Sequence, residues 1–84
     1  MNQPSPKVHP QKLYRHYKGA LYFVEGVAIE ATDAREGTEV IVYRSIALGL
    51  LFTRDIEEFV APIEWPDGVV RPRFIQVSDS EVTA

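Results

Sequence analysis

Ala20-Leu21-Tyr22-Phe23-Val24-Glu25-Gly26-Val27-Ala28-Ile29-Glu30-Ala31-Thr32 is the stretch that decides the fold. It is dense in β-branched and aromatic residues. Leu21, Phe23, Val27 and Ile29 share one parity, and Tyr22, Val24, Gly26 and Ala28 the other. That pattern predicts a strand with a half-buried second face. Gly26 interrupts it where a bulge or sharp bend lets a long strand curl around a small barrel. The polar run Asp33-Ala34-Arg35-Glu36-Gly37 reads as a turn and Thr38 to Ile46 as the returning strand, so the two make a hairpin.

Beyond the hairpin, Leu48 to Arg54 fits a third strand entered through Gly49. Asp55-Ile56-Glu57-Glu58-Phe59 has an N-cap residue followed by acidic residues, the pattern of a single helical turn. Trp65-Pro66-Asp67-Gly68 has proline at the second turn position and glycine at the fourth. Ala61 to Glu64 and Val69 to Val77 are therefore expected to pair as a second hairpin, with Pro72 confining the last strand to an edge or a bulge. Five short strands and one helical turn predict a mostly β domain, a small SH3-like bent barrel. The alternative is an α+β sheet with a true helix from Asp55 to Ala61.

The 84 residues are enough for one domain. A domain this small buries only about 60% of the surface its unfolded chain exposes, so a shallow site is expected in place of a deep cavity. Residues 1–11, rich in proline, and 79–84, small and acidic, are expected to fray, leaving 12–78 as the single β-rich domain. The absence of cysteine excludes a disulfide framework, a thiolate zinc site and a thiol nucleophile, and suits a reducing cytoplasm. Met1 to Pro10 lacks the apolar segment of a secretory signal. The longest nearly uncharged apolar run, Ser45 to Thr53, is far below the roughly 20 residues that span a bilayer. A formal charge of −3 gives no general field for polyanions, so any phosphate contact has to be local.

The run Tyr14-Arg15-His16-Tyr17-Lys18-Gly19, followed by Tyr22, Val24 and Ala28, resembles the opening of the small bacterial and phage proteins grouped as domain-of-unknown-function family 1653. Val40-Ile41-Val42-Tyr43-Arg44, Leu51-Phe52-Thr53-Arg54 leading to Phe59, and Arg73-Phe74 continue the resemblance from about Lys12 to Gln76. Two stretches depart from the family pattern. Phe52-Thr53-Arg54-Asp55 stands where the family has Trp-Val-Arg-Pro, and Ile46-Ala47-Leu48-Gly49 stands where it has a Tyr-Gly-Asp type of loop. The resemblance implies a compact β-rich domain and brings no activity, cofactor or catalytic residue with it.

Three groups of residues could carry chemistry. On a strand, Tyr14, His16 and Lys18 would share one face, with Arg15 and Tyr17 on the other. Aromatics beside a histidine and a cation suit a base, a sugar or a phosphate. The plainer reading is that the tyrosines cap the core and His16 bonds a backbone carbonyl. Tyr43, Arg44 and Arg54 could hold a planar anion by bidentate bonds, against the plainer reading of ion pairs with Glu39, Glu57 or Glu58. Arg71 and Arg73 read as a solvated edge, Phe74 as core, and Trp65 as either a barrel seal or an exposed contact. Catalytic templates fail: His9 lies in the tail, His16 has no partner spacing for a triad or a metal, and Glu57 and Glu58 face different ways on a helical turn.

The expectation is a non-enzymatic binding module without cofactor. Tyr14, His16, Tyr43, Arg44 and Arg54 would face a small anionic or nucleotide-like ligand, or nucleic acid. The alternative is a protein-interaction or assembly domain using exposed strand edges and Trp65. An enzyme with His16 as general base ranks third.

Overall fold

The strand predicted from Ala20 to Thr32 forms as β2 (Leu21–Ile29) and is the longest element of the chain in the computed structural model, which describes residues 7–78. The other elements are β1 (Leu13–His16), a 3₁₀ turn (Asp33–Arg35), β3 (Glu39–Ser45), β4 (Leu51–Asp55), α1 (Ile56–Val60), β5 (Pro62–Glu64), β6 (Val70–Pro72) and β7 (Phe74–Gln76). Five strands make one antiparallel sheet in the order β4-β3-β2-β1-β7, and β5 and β6 pair separately. The protein is mostly β with one short helix, as the sequence predicts.

The irregularity expected at Gly26 is present. The β2–β3 register shifts between Val24 and Gly26, so Val24 opposite Tyr43 and Val27 opposite Ile41 point to the same face. The third strand starts later than its composition suggests. Ser45 to Gly49 closes as a turn in which the Gly49 N–H donates to the Ser45 carbonyl (2.8 Å) and the Leu48 N–H to Ser45 Oγ (3.0 Å). Gly49 takes φ of 72° there, a conformation that favours glycine. Asp55 precedes α1 as expected, yet its carboxylate makes no cap bond and pairs with Arg35 instead.

The sheet does not close into a barrel. Its ends, β4 and β7, are not paired with each other; α1 lies between them and packs on β3, β4 and β7. Phe59, wholly buried, fills the space a closing ladder would occupy, stacked on Phe74 at 4.0 Å and edge-on to Tyr14 and Tyr43, each at 5.5 Å. The expected strand from Val69 to Val77 is broken in two. Pro72 has no N–H to continue a ladder, and the Arg73 N–H donates to the Ala61 carbonyl (2.9 Å), so the chain leaves β6 and resumes as β7 against β1. The segment around Tyr14, read only conditionally as extended, is the strand that joins β2 to β7.

Of the ends expected to fray, 1–6 and 79–84 lie outside the described residues. Residues 7–11 pack on the sheet: Val8 is buried in the core, the His9 N–H donates to the Tyr14 hydroxyl (2.8 Å), and the Gln11 N–H to the Val24 carbonyl (2.7 Å).

Phe59→Ala removes the ring on which Tyr14, Tyr43 and Phe74 converge. It is expected to cost about 3–5 kcal/mol, a large part of a small domain's stability. A urea melt followed by Trp65 fluorescence should place its midpoint far below that of the parent, with Phe59→Leu in between.

Candidate ligand-binding face

Strand register sorts the candidate residues between two faces. Tyr14 opposes Tyr22, His16 opposes Phe74, Tyr43 opposes Phe52 and Arg54 opposes Ile41, which puts all of them on the face that α1 covers at one end. Arg44 opposes Phe23 and Leu51 and emerges on the other face. There its Nε donates to Glu25 at 3.1 Å and its guanidinium also bonds the Gly49 carbonyl at 2.9 Å. Arg44 and Arg54 therefore do not form the paired clamp that their place on neighbouring strands suggests.

Tyr14 and Tyr43 are core residues, 5% and 4% exposed. Burial pushes the Tyr14 phenol up from its ordinary pKa, against the His9 N–H that its oxygen accepts. The Tyr43 hydroxyl accepts from Arg54 Nε at 3.2 Å. These tyrosines floor the face and hold Arg54. The residues left open to solvent above them are His16 and Tyr22, both half-buried, and Phe52, 38% exposed. Tyr22 stands edge-on to Tyr43 (5.3 Å), Phe74 (5.6 Å) and Phe52 (6.4 Å), and His16 to Phe74 (4.8 Å). The result is a shallow aromatic platform.

Cations rim it. β1 ends at His16, and the following turn brings Tyr17 and Lys18 back beside it; Tyr17 lies 4.5 Å from His16, ring to ring. The Tyr17 ring carries Lys18 Nζ at 5.7 Å and the Arg73 guanidinium at 5.6 Å, while the Arg54 guanidinium lies 5.8 Å from the Phe74 ring. Arg35, Arg44, Arg54 and Arg71 are all in ion pairs; Lys18 and Arg73 have none among the described residues. Arg73 Nε is moreover buried without a hydrogen-bond partner, a costly state unless an acceptor arrives. Arg54 gives one nitrogen to Glu58 at 2.5 Å and one to Tyr43.

Burial, and then the positive charges of Arg54, Arg73 and Lys18, lower the His16 pKa. His16 Nδ1 accepts the Lys18 backbone N–H at 3.1 Å, so the neutral ring carries its proton on Nε2 and offers a donor there. No group of three or more His, Asp or Glu side chains among the described residues is placed to hold a metal ion.

A concavity of about 120 Å³ lies where the β5–β6 ladder meets β7, lined by Arg15, Trp65, Arg71, Ile75, Gln76 and Val77. Three of its polar side chains are already engaged. Trp65 Nε1 donates to the Pro72 carbonyl (3.0 Å), Arg15 to the Gly19 carbonyl (2.9 Å), and Arg71 grips both oxygens of Asp67 (3.0 and 2.6 Å). The Arg71 bond, followed by the Val69 N–H, holds the Asp67 carboxyl down at about 2. Trp65, half-buried, seals this junction under the Arg71 guanidinium, 5.4 Å from its ring.

The model of the proteins of unknown function DUF1653 matches residues 12–76. The chain belongs to that family. No curated protein and no solved structure matches it. The stretch matched to DUF1653 runs from β1 to the end of β7, so it takes in the whole five-stranded sheet and every residue of the aromatic platform.

The platform includes two residues that the sequence does not single out as candidates, Tyr22 and Phe52, and two that it weighs without placing in the site, Lys18 as a strand-face residue and Arg73 as a solvated edge. Tyr22 shares parity with Tyr14 across the β1–β2 ladder, a signal available from alternation. Arg73 carries no such signal, because its place depends on the change of sheet at Pro72.

The unfolded chain holds the His16 proton with a pKa near 6.5, above the folded value, so it takes up that proton first. Stability contributed by neutral His16 is complete above that value and is lost as pH falls through it towards the folded pKa. An NMR titration should find His16 titrating below the ordinary histidine value near 6.5. Lys18→Ala or Arg73→Ala should move the His16 pKa back up.

Proposed function

We propose that this DUF1653 domain is a non-enzymatic binding module for a planar anion, of the kind presented by a nucleotide or an unpaired nucleic-acid base with its phosphate. The observation that carries this reading is the meeting of Lys18 and Arg73, which have no ion pair among the described residues, with Arg54 around His16, beside a half-open platform of Tyr22 and Phe52. Aromatic faces accept any base by stacking, and guanidinium groups bind phosphate oxygens bidentately. In a chain of net charge −3 such a cation group is a local feature, and it fits a local anion better than a long polyanion track.

The His16 geometry supports binding over general-base catalysis. Its basic nitrogen is engaged by the Lys18 N–H and its free nitrogen is a donor. An anion beside the ring would offset the surrounding positive charge and raise the His16 pKa, so binding takes up a proton and tightens as pH falls towards that pKa.

The experiment is a chemical-shift titration of the labelled chain with nucleotides, nucleosides and short single-stranded oligonucleotides. Amides of His16 to Lys18, Tyr22, Phe52, Arg54 and Arg73 should move with a nucleotide. A nucleoside lacking phosphate should bind more weakly. Arg73→Ala and Arg54→Ala should each weaken binding about tenfold or more, the loss of about 1.5–3 kcal/mol carried by a hydrogen bond to a charged group. Arg44→Ala, on the opposite face, should leave binding unchanged. Shifts absent at millimolar ligand, or an Arg44 variant as impaired as the Arg73 variant, would sink the proposal.

A further inference from the structure

β4 and β7 are the two edges of the sheet, and among the described residues no strand lies beyond either. Just before β7 the Arg73 N–H closes onto the Ala61 carbonyl. The Ser45 N–H donates to the Leu50 carbonyl at 2.9 Å, which sets the alternation: Phe52 and Arg54 turn their backbone groups to β3, and Leu51 and Thr53 turn theirs outward. β4 carries no proline, no lysine and no bulge, and its charges, Arg54 and Asp55, stand together at its C-terminal end. Beside it stands the largest group of exposed apolar side chains in the described residues: Ile46 (53%), Leu48 (68%), Leu50 (57%), Leu51 (53%) and Phe52 (38%).

We infer that β4 is the contact strand of a homodimer, in which two copies pair antiparallel about Thr53 and join their sheets. The occupant is a second copy because the strand, paired antiparallel with itself about Thr53, sets an aromatic residue opposite a cationic one on both sides of the axis. A two-fold axis at Thr53 places the outward-facing Thr53 residues opposite each other as a hydrogen-bonded pair. The same register sets Phe52 of one copy opposite Arg54 of the other, an aromatic ring beside a guanidinium. It also carries the apolar Ile46 to Leu50 turn of each copy towards the Asp55 end of the partner. At that end of the sheet Val27 (43%) and Ile29 (63%) form a further exposed apolar group. Phe52 and Arg54 lie on the aromatic platform, so pairing makes the two platforms neighbours across the axis, while Leu51 and Thr53 lie on the opposite face and are free of it.

Sedimentation of the full chain tests the inference. The protein should move at twice its 9.5 kDa mass, and the Leu51 and Thr53 amides should exchange slowly with deuterium. Thr53→Pro removes an outward N–H without touching a bond to β3, and Leu51→Lys places a charge on the edge. Each should give a monomer with the parent's circular dichroism and its nucleotide response. Should Thr53→Pro fail to fold, Leu51→Lys decides. A parent monomeric at millimolar concentration, a dimer that survives Leu51→Lys, or a dimer whose Leu51 and Thr53 amides exchange freely would overturn the assignment.

Discussion

The contact between Phe59 and Phe74 couples the helix to the sheet, and through it the core to the surface. The two rings lie parallel, with an interplanar angle of 1° at 4.0 Å. Aromatic pairs favour offset or edge-to-face arrangements over a direct sandwich, so this pair depends on what surrounds it. Tyr43 meets both rings edge-on, at 5.5 and 5.3 Å, and Tyr14 meets Phe59. Around these rings the aliphatic core is small, with Val8, Val24, Ile41 and Ile56 completing the buried cluster. Aromatic edges do the work that a larger domain assigns to interlocking aliphatic chains.

Phe74 has a second role. Its far side carries His16 at 4.8 Å and the Arg54 guanidinium at 5.8 Å. The packing of the helix at one end of this face thus fixes the spacing of the groups beside it on the same face. Two of the cations reach that position by departures from regular structure, the turn after β1 for Lys18 and the change of sheet at Pro72 for Arg73, while Arg54 comes from the last ladder pairs of β4. Residues far apart in sequence are gathered where strands stop, and regular strand pairing stays intact between them.

Local signals were readable in the sequence, and long-range ones were not. Alternation through Leu21 to Ile29, the break at Gly26, the acidic start of α1 and the Trp65-Pro66-Asp67-Gly68 turn each depend on a few neighbouring residues, and each has its counterpart in the fold. Alternation also contained the information that separates Arg44 from Tyr43, since adjacent strand residues face opposite ways. Closure of the sheet was not legible, because it depends on whether β4 meets β7 or meets Phe59. Nor was the division between Arg71, fastened to Asp67, and Arg73, left beside His16. The two arginines lie two residues apart on what reads as one strand, and only the partner strands tell them apart. Burial of Tyr14 and Tyr43 likewise follows from where α1 rests.

The strand order has a consequence for how the chain acquires its structure. β1 is paired on one side with β2, which follows it directly, and on the other with β7, which is the last element of the described fold. A hairpin of β2 and β3 can form from neighbouring residues as soon as both exist. The ring pair at the centre, however, needs residue 74, and β1 keeps an open side until residue 76 is in place. A chain emerging from the ribosome would therefore hold its aromatic core unfinished until almost the whole domain had cleared the exit, since contacts of high sequence separation form late. For such a chain, the closing strand acts as a completion signal, and the domain folds as a unit at the end of its synthesis.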